Sequence, residues 1–314
     1  STRPNTAGST LVSPNTTRAI DTATNRPKDT AHWVGAVNTS QTSENMTEHT
    51  WFHPRGALTR GDWESVVDRD IPGWEHTGIH VAQLSKGDEV TLDDLDVERI
   101  IIPLAGAFVV TWTVDGDEST TRLAGRSSVF DGPTDVLYLS AGAHAVVSGS
   151  GRFAVASSPT EERHPSRHVL ASDTAIELRG AGASSRQVHN FGTPPALDAA
   201  RLIVCEVITP AENWSSYPPH KHDEFKPGQE SRLEEIYYFE SAPQKGSNSP
   251  ASEGGAFGMF STYSSPAGEI DINAMVKTGD IALVPYGYHG PAVAAPGYDL
   301  YYLNIMAGAG PERA

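Results

Sequence analysis

A ten-residue pattern occurs twice in the chain, and this internal repeat constrains the fold more than any other feature. Residues 135–144 read DVLYLSAGAH and residues 280–289 read DIALVPYGYH, so aspartate, glycine and histidine keep one spacing around an apolar strand. Upstream of the two copies, Glu98 and Glu235 each stand at the head of another apolar strand. Two matches in the same order indicate a duplicated domain.

Both halves carry the pattern of β-structure. From Gly73 onwards, turn signals recur about every ten residues, the spacing typical of sandwiches and barrels. The runs between them are apolar or alternate, as in 99–113 and 300–306, and Asp115-Gly116 indicates a hairpin. The 29 glycines and 22 prolines favour a turn-rich chain. The sequence therefore predicts an all-β fold of two tandem domains.

The chain divides into three segments. Residues 1–50 are rich in Ser, Thr, Asn and Pro and form a polar N-terminal extension, which alone has too little apolar surface to offset its ordering entropy. It is either a loosely draped segment or an arm that packs on a partner subunit. Residues 51–170 form the N-terminal domain and residues 171–314 the C-terminal domain. Because open sheet edges need covering, we expect a homo-oligomer.

Charge and cysteine content narrow the partners and the compartment. The net charge is −16, which argues against nucleic acid and against an anionic membrane surface. No apolar run is long enough to span a membrane, and the polar start lacks the core of a signal peptide. The single cysteine, Cys205, excludes an internal disulfide and is interpreted as a small buried apolar residue. We expect a cytoplasmic protein.

The second half carries a group of metal-type ligands. His220 and His222 are two apart and point to one face of a strand, whereas Lys221 between them points away. Glu235 opens the next apolar strand, and His289 follows a tight Pro/Gly turn. Three imidazoles and one carboxylate suit one divalent transition metal, namely Zn, Mn, Fe, Ni or Cu. The alternative is that the histidine pair lies in a surface loop.

Two adjacent glutamates compete for the ligand position, and only one half of the chain has the full set of ligands. Glu235 is preferred to its neighbour Glu234 as the ligand because it begins the apolar alternation. The first half has His144 and Glu98 at the positions matched to His289 and Glu235, but no His-x-His pair upstream. We therefore expect the N-terminal domain to bind no metal and to serve as scaffold and interface.

These motifs resemble two groupings, one wide and one narrow. A His-x-His pair, then Glu, then a Gly/Pro turn and His is similar to the cupin pattern. The segments NWSSYPPHKHD (213–223), LEEIYY (233–238), LVPYGYH (283–289) and PGYDLYYLNIMAG (296–308) resemble the 5-deoxy-glucuronate isomerase family of inositol catabolism, as does RQVHN (186–190). Residues 1–50 and the polar stretch after Phe239 depart from the family.

The resemblance implies a bicupin and an aldose–ketose isomerase. Its substrate would be 5-deoxy-D-glucuronate and its product 5-dehydro-2-deoxy-D-gluconate. A Lewis-acid metal, with zinc first among the candidates and Mn, Fe or Ni open, would stabilise an enediolate. A base must move the proton from C2 to C1. Glu234, Tyr238 and a metal-bound hydroxide are open candidates, and Glu235, if it binds the metal, is less available.

The implied substrate is a small sugar acid, so a cation is expected in an otherwise acidic protein. Arg186 is the first choice because a guanidinium grips a carboxylate at two points. Tyr302 and Asn304 share one face of their strand and are candidates for the pocket lining. Three other functions stay open: a 4-deoxy-5-keto-uronate isomerase, a metal-dependent bicupin dioxygenase, and a non-catalytic sugar-binding cupin.

Overall fold

The computed structural model describes residues 51–246 and 255–310, and the predicted extension 1–50 lies outside them. Within the described residues the chain forms nineteen β-strands and three short 3₁₀ helices. No helix in this part of the chain is long and apolar enough to cross a membrane. The prediction of an all-β fold is confirmed.

The first nine strands run through the N-terminal half. They are β1 (Phe52–His53), β2 (Ser65–Val67), β3 (Gly78–Leu84), β4 (Glu89–Leu92), β5 (Val97–Val114), β6 (Asp117–Arg126), β7 (Val136–Leu139), β8 (His144–Pro159) and β9 (Arg167–Val169). The 3₁₀ helices are Val129–Asp131, Ala171–Asp173 and Gly182–Ser184.

Ten strands follow in the C-terminal half. They are β10 (Ala175–Arg179), β11 (Arg186–Gly192), β12 (Ile203–Thr209), β13 (Trp214–Ser215), β14 (Glu234–Pro243), β15 (Gly258–Tyr263), β16 (Asn273–Val276), β17 (Ile281–Val284), β18 (Tyr288–Ala294) and β19 (Tyr298–Ala307).

Strand pairing separates the two halves. Strands β2 to β9 form one eight-stranded sheet in the order β2-β3-β8-β5-β7-β9, with β4 on β8 and β6 on β5. The C-terminal half forms a seven-stranded sheet, β1-β17-β14-β19-β12-β11-β10, and a four-stranded sheet, β13-β18-β15-β16. Residues 52–53 therefore pair with the C-terminal sheet, although the sequence assigned them to the N-terminal domain.

The two halves share one hydrophobic core. We call the eight-stranded sheet of β2 to β9 the N-terminal barrel, and the two sheets of the C-terminal half the C-terminal barrel. In β5, Ile101 packs inside the N-terminal barrel, whereas Ile100 and Ile102 belong to the core that continues through the C-terminal half. Alternation along a strand explains the division, because successive side chains point to opposite faces. Both faces of β5 are buried between residues 100 and 104, which is why this part of its sequence is apolar without interruption.

Two glutamates bind the halves to each other reciprocally. Glu98, at the start of β5, accepts hydrogen bonds from the amides of residues 200–202, each at 2.7 Å, and from the Tyr138 hydroxyl at 2.6 Å. Glu234, at the start of β14, accepts from the amides of residues 75–77 at 2.7–3.1 Å. Each carboxylate thus binds backbone of the opposite half.

The strand registers correct the alignment of the two repeats. Arg99 lies opposite Leu139, and Glu235 lies opposite Val284; both partners stand three residues before the glycine of their repeat. The residue equivalent to Glu235 is therefore Arg99, and Glu98 is equivalent to Glu234. The sequence alignment was one residue out because both halves place a glutamate at the head of the strand. His144 is also exposed, whereas His289 is buried.

Candidate metal centre and active site

Backbone pairing brings three imidazoles together at one end of the C-terminal barrel. The amide of His220 donates to the carbonyl of His289 at 3.2 Å, and the reverse bond measures 2.9 Å. The carbonyl of His222 accepts from the amide of Leu233 at 2.9 Å, which returns the chain to the start of β14. Ring nitrogens of the three histidines lie within 4.8 Å of one another. The long gap after His222 is thus closed by a loop that leaves the predicted ligands together.

Glu235 completes the cluster. Its Oε2 lies 2.8 Å from Nε2 of His289 and 3.9 Å from Nε2 of His222. Glu235 and His289 are 2% and 1% exposed, yet these two facing atoms have no hydrogen-bond partner of acceptable geometry. A buried polar atom left without a partner costs about 1–3 kcal/mol. The four side chains therefore fit a divalent cation, which would satisfy both atoms.

The protonation states suit metal binding. Burial lowers the pKa of His222, so its imidazole is neutral near pH 7, the form that binds metals. Burial tends to raise the pKa of Glu235, but His289 and the other imidazoles bring it below its usual range. Burial also tends to lower the pKa of His289, and the adjacent carboxylate of Glu235 raises it overall. A metal entering the site would compete with a proton for the ring nitrogen of His289 that faces Glu235.

The loop after His222 is tied to the His289 turn by charged side chains. Lys221 points away from the cluster, as predicted, and its Nζ lies 2.6 Å from Asp223 and 2.9 Å from Glu230. Asp223 in turn accepts a hydrogen bond from the amide of Gly287 at 2.9 Å and another from the hydroxyl of Ser265. Asp223 therefore holds the two ligand-bearing loops in a fixed relation.

A cavity of about 290 Å³ opens beside the cluster, and we call it the C-terminal cavity. Its walls are the inward-facing residues of neighbouring strands of the seven-stranded sheet, together with the loop between β13 and β14 that carries His220 and His222. It is lined by Arg179, Arg186, Val188, Ile203, Cys205, Val207, Ser216, His220, His222, Leu233, Glu235, Tyr237, Tyr302, Asn304 and Met306.

The structure places the predicted substrate-binding residues in this cavity. Arg186 and Tyr302 line it. Asn304 lines it as well, but its Nδ2 donates to Glu235 Oε1 at 2.6 Å. Asn304 thus orients the carboxylate, a role that its position in the sequence does not reveal. Cys205 is half-buried in this wall rather than buried as predicted. Its low-polarity surroundings raise the pKa of the thiol to about 12, so the side chain is uncharged.

Two predicted catalytic residues face the wrong way. Glu234 and Tyr238 lie on the opposite face of β14 from Glu235, because strand side chains alternate. Glu234 is bound to the backbone of residues 75–77, as described above. The Tyr238 hydroxyl donates to Glu240 at 2.8 Å. Neither residue lines the C-terminal cavity, so neither is a base for a reaction there.

Sequence reasoning missed two polar residues of the wall. Tyr237 faces the cavity because it is two residues from Glu235, and alternation alone identifies it. Arg179 lies opposite Arg186 across the β10–β11 hairpin, so both guanidinium groups are on one face. No motif marks Arg179, because only the strand pairing shows which residue is its neighbour.

Within residues 51–246 and 255–310, the three histidines are the only group of three or more His, Cys, Asp or Glu side chains arranged to hold a metal ion. Two β-barrels of duplicated plan, one with such a cluster, define a bicupin. Residues 51–314 match the KduI/IolB family, and the chain belongs to that family.

Three curated relatives of this chain carry the same name. A 5-deoxy-glucuronate isomerase of Geobacillus thermodenitrificans is 37% identical over 245 residues, which cover 77% of this chain and 84% of the relative. The enzyme of that name from Shouchella clausii is 39% identical, covering 67% of this chain and 73% of the relative. The Bacillus subtilis (strain 168) enzyme is 35% identical, covering 73% and 80%.

Solved structures support the same fold. An IolB-like protein from Salmonella typhimurium is 32% identical and superposes with a TM-score of 0.73 over 84% of this chain and 94% of that one. An oxalate decarboxylase of Lactobacillus farciminis is only 11% identical, with a TM-score of 0.52 over 77% of this chain and 80% of its own, and shows a common fold alone. The bicupin prediction is confirmed.

Proposed function

We propose that this protein is a 5-deoxy-glucuronate isomerase that converts 5-deoxy-D-glucuronate to 5-dehydro-2-deoxy-D-gluconate in myo-inositol catabolism. Membership of the KduI/IolB family and the names of the curated relatives support the assignment. One structural observation carries it: a cluster of three imidazoles and a carboxylate shares its cavity with Arg186. The cavity thus offers ligands for one end of a sugar acid and a cation for the other.

The proposed cofactor is one divalent metal held by His220, His222, Glu235 and His289. Zinc is the first candidate because a set of three nitrogens and one oxygen is a common zinc environment, and Mn, Fe and Ni are the alternatives. When bound, the metal supplies a Lewis acid for the aldehyde oxygen and the neighbouring hydroxyl.

Arg186 is proposed to hold the substrate carboxylate. It is half-buried on β11, and its Nη1 donates to the carbonyl of Ser184 at 3.1 Å, which leaves further N–H donors for a ligand. Arg179 stands opposite on β10 but is exposed and paired with Glu177 at 2.7 Å. Arg186 is thus the main contact, with Arg179 at the rim of the cavity.

Two buried tyrosines are proposed to donate hydrogen bonds to substrate oxygens. Burial raises the pKa of both Tyr237 and Tyr302, so both hydroxyls keep their protons at neutral pH. The Tyr237 hydroxyl lies 3.1 Å from the hydroxyl of Ser216. Protonated phenols can donate to developing oxyanions, whereas they are poor bases.

The proton that moves from C2 to C1 needs a carrier. Of the described residues that line the cavity, Glu235 alone has a carboxylate. Because Glu235 is itself a proposed metal ligand and its Oε1 accepts from Asn304, we propose that a hydroxide in the cavity carries the proton, which is the remaining candidate from the sequence. The reaction balances without an oxidant, since one proton leaves C2, one arrives at C1, and the hydroxyl proton on O2 passes to O1.

The decisive experiment measures turnover of purified, metal-analysed protein on 5-deoxy-glucuronate, with oxygen uptake followed in parallel. We expect ketose formation, about one metal per chain and no oxygen consumption. Oxygen uptake with turnover would instead support a dioxygenase. Preference for a 4-deoxy-5-keto-uronate in a substrate panel would reassign the substrate. Sugar binding without turnover in metal-loaded protein would support a non-catalytic cupin.

Two further expectations concern the oligomeric state of the protein and its location in the cell. A homo-oligomer and a cytoplasmic location stay predictions from the sequence. Sedimentation at micromolar concentration checks the first, because a monomer would reject it. Fractionation of the source cells checks the second.

A further inference from the structure

The N-terminal barrel contains a cavity at the position that the metal centre occupies in the C-terminal barrel. We call this space, of about 210 Å³, the N-terminal cavity. Arg99 and Val97 line it, and they are equivalent in register to Glu235 and Leu233, which line the C-terminal cavity. Its other lining residues include Trp63, Asp68, Arg69, His80, Asp93 and Asp94.

At the equivalent register position the charge is reversed. The C-terminal cavity has the carboxylate of Glu235 there, and the N-terminal cavity has the guanidinium of Arg99, which is 3% exposed. Arg99 has no ion-pair partner among the described residues. It donates from Nη1 to the carbonyl of Ala143 at 2.8 Å and from Nη2 to the carbonyl of Asp94. A guanidinium has five N–H donors, so donors remain, and the carboxylates of Asp93 and Asp94 act on its charge only through space, without an ion pair.

A second unused donor lines the same cavity. His80 is mostly buried and packs edge-on against the ring of Trp63, with centroids 5.0 Å apart. No hydrogen bond to either of its ring nitrogens is formed by the described residues. Burial lowers the pKa of His80 to about 4, so the imidazole is neutral at pH 7 and keeps one N–H to donate.

The acids of the wall limit the charge of a ligand. Asp68 is paired with Arg60 at 2.6 Å, and Asp94 lies 3.9 Å from Arg69. Asp93 adds a further negative charge beside these pairs. The two pairs are neutral and Arg99 offsets Asp93, so the wall carries no net charge before a ligand binds. A dianion such as phosphate would leave two net negative charges beside these acids and a monoanion only one, whereas a metal cation would meet Arg99.

We propose that the N-terminal cavity is a binding site for a small monocarboxylate, held by the guanidinium of Arg99 and the imidazole of His80. A carboxylate accepts two parallel N–H bonds from a guanidinium. A monatomic anion such as chloride cannot accept this pair of bonds with the same geometry. The site is separate from the proposed isomerase centre, and it makes the N-terminal barrel a ligand-binding domain in its own right.

Trp63 supplies a local probe, because it lines this cavity and no tryptophan lines the C-terminal one. Glycolate is titrated into the metal-loaded full chain and into Trp63→Phe, and the difference in tryptophan emission is followed against sodium chloride of equal ionic strength. We expect a saturable, Trp63-dependent change that inorganic phosphate produces more weakly. No such change, or a stronger response to phosphate, overturns the proposal.

Variants test which side chains hold the ligand. Arg99→Lys keeps the charge but loses the paired donors, and we expect at least tenfold weaker glycolate binding. His80→Phe keeps the ring and removes the donor, and it should weaken binding to a smaller extent. His222→Ala, in the other barrel, should leave the Trp63 signal unchanged. Unaltered affinity in folded Arg99→Lys overturns the proposal, and if that variant fails to fold, unaltered affinity in His80→Phe does so.

Discussion

The two barrels share the order of their central strands and differ at the inward-facing position that follows the glutamate at the strand head. In both, a glutamate at the strand head binds the backbone of the other half, and the next residue faces a cavity. That next residue is Arg99 in the N-terminal barrel and Glu235 in the C-terminal one. The shared residues hold the fold together, whereas the cavity residues set the chemistry, so fold and function are encoded at different positions of one strand.

The histidines show the same division. His289 is buried in the cluster, whereas His144 of the matching repeat is exposed on the outside of its barrel. The N-terminal repeat therefore keeps the histidine, but its side chain points to solvent and is not placed to bind a metal inside the barrel. The expectation that the N-terminal barrel binds no transition metal stays a prediction.

The largest expected effect separates the two histidine positions. His222→Ala should remove the metal and lower turnover by more than about 100-fold, because changes to residues that merely support metal ligands already cost 10–100-fold. His144→Ala should change neither metal content nor initial rate. Elemental analysis and rates on 5-deoxy-glucuronate check both. Equal losses in two folded variants would show that the barrels do not differ in this way.

The second effect concerns the contact between the barrels. Burial tends to raise the pKa of Glu206, but Arg126 from the N-terminal barrel and then His189 bring it from 4.5 to about 2. Because the pKa of Glu206 is lower in the folded than in the unfolded chain, its ionised carboxylate stabilises the fold at pH values above 4.5. This contribution to the free energy of unfolding, on the order of 3 kcal/mol, is lost as the pH falls towards 2. Urea unfolding of wild type and Glu206→Gln should therefore differ at pH 7 and converge in acid. A constant difference would contradict it.

The third effect tests the reciprocal glutamates. Glu98→Gln and Glu234→Gln should each lower the free energy of unfolding by about 2–3 kcal/mol, since each loses charged hydrogen bonds to three backbone amides. Neither should change the chemical step. If Glu234→Gln instead abolished turnover at unchanged stability, the carboxylate would be catalytic after all. Chemical denaturation and kcat measured on the same preparations distinguish these outcomes.

The smallest effect concerns the tie between the ligand loops. Asp223→Ala should weaken metal affinity about tenfold, as is usual when a group that orients ligands is removed. Glu224→Ala is the matched control, because Glu224 is the adjacent acid and its side chain is 41% exposed. Competition with a chelator measures both affinities. Equal affinities would show that the loops hold their positions without Asp223.

The sequence predicts most of the strands and identifies four side chains that the structure brings together, whereas their role as metal ligands stays a prediction. Glu235 begins an apolar strand, as local periodicity predicts. His220 and His222 lie in the loop between β13 and β14 rather than on the predicted strand, and the bridge between His220 and His289 brings them to the site. Glu234 was assigned a catalytic role because carboxylates at the head of a strand look alike in sequence. Only the packing of the opposite half shows that its partners are the amides of residues 75–77. Arg99 escaped notice for the same reason, since register between distant strands is a tertiary property.

The pairing of β1 with β17 has a consequence for synthesis on the ribosome. Residues 52–53 lie beside residues 281–282, and Trp51 accepts the amide of Leu283 at 2.8 Å. At a translation rate of about 5–20 residues per second, roughly 10–45 seconds separate the two segments. The beginning of the barrel region therefore waits, unpaired, until nearly the whole chain has emerged. The described segment that is made first is thus among the last to be paired, and a nascent chain stalled before residue 281 would present that segment to chaperones.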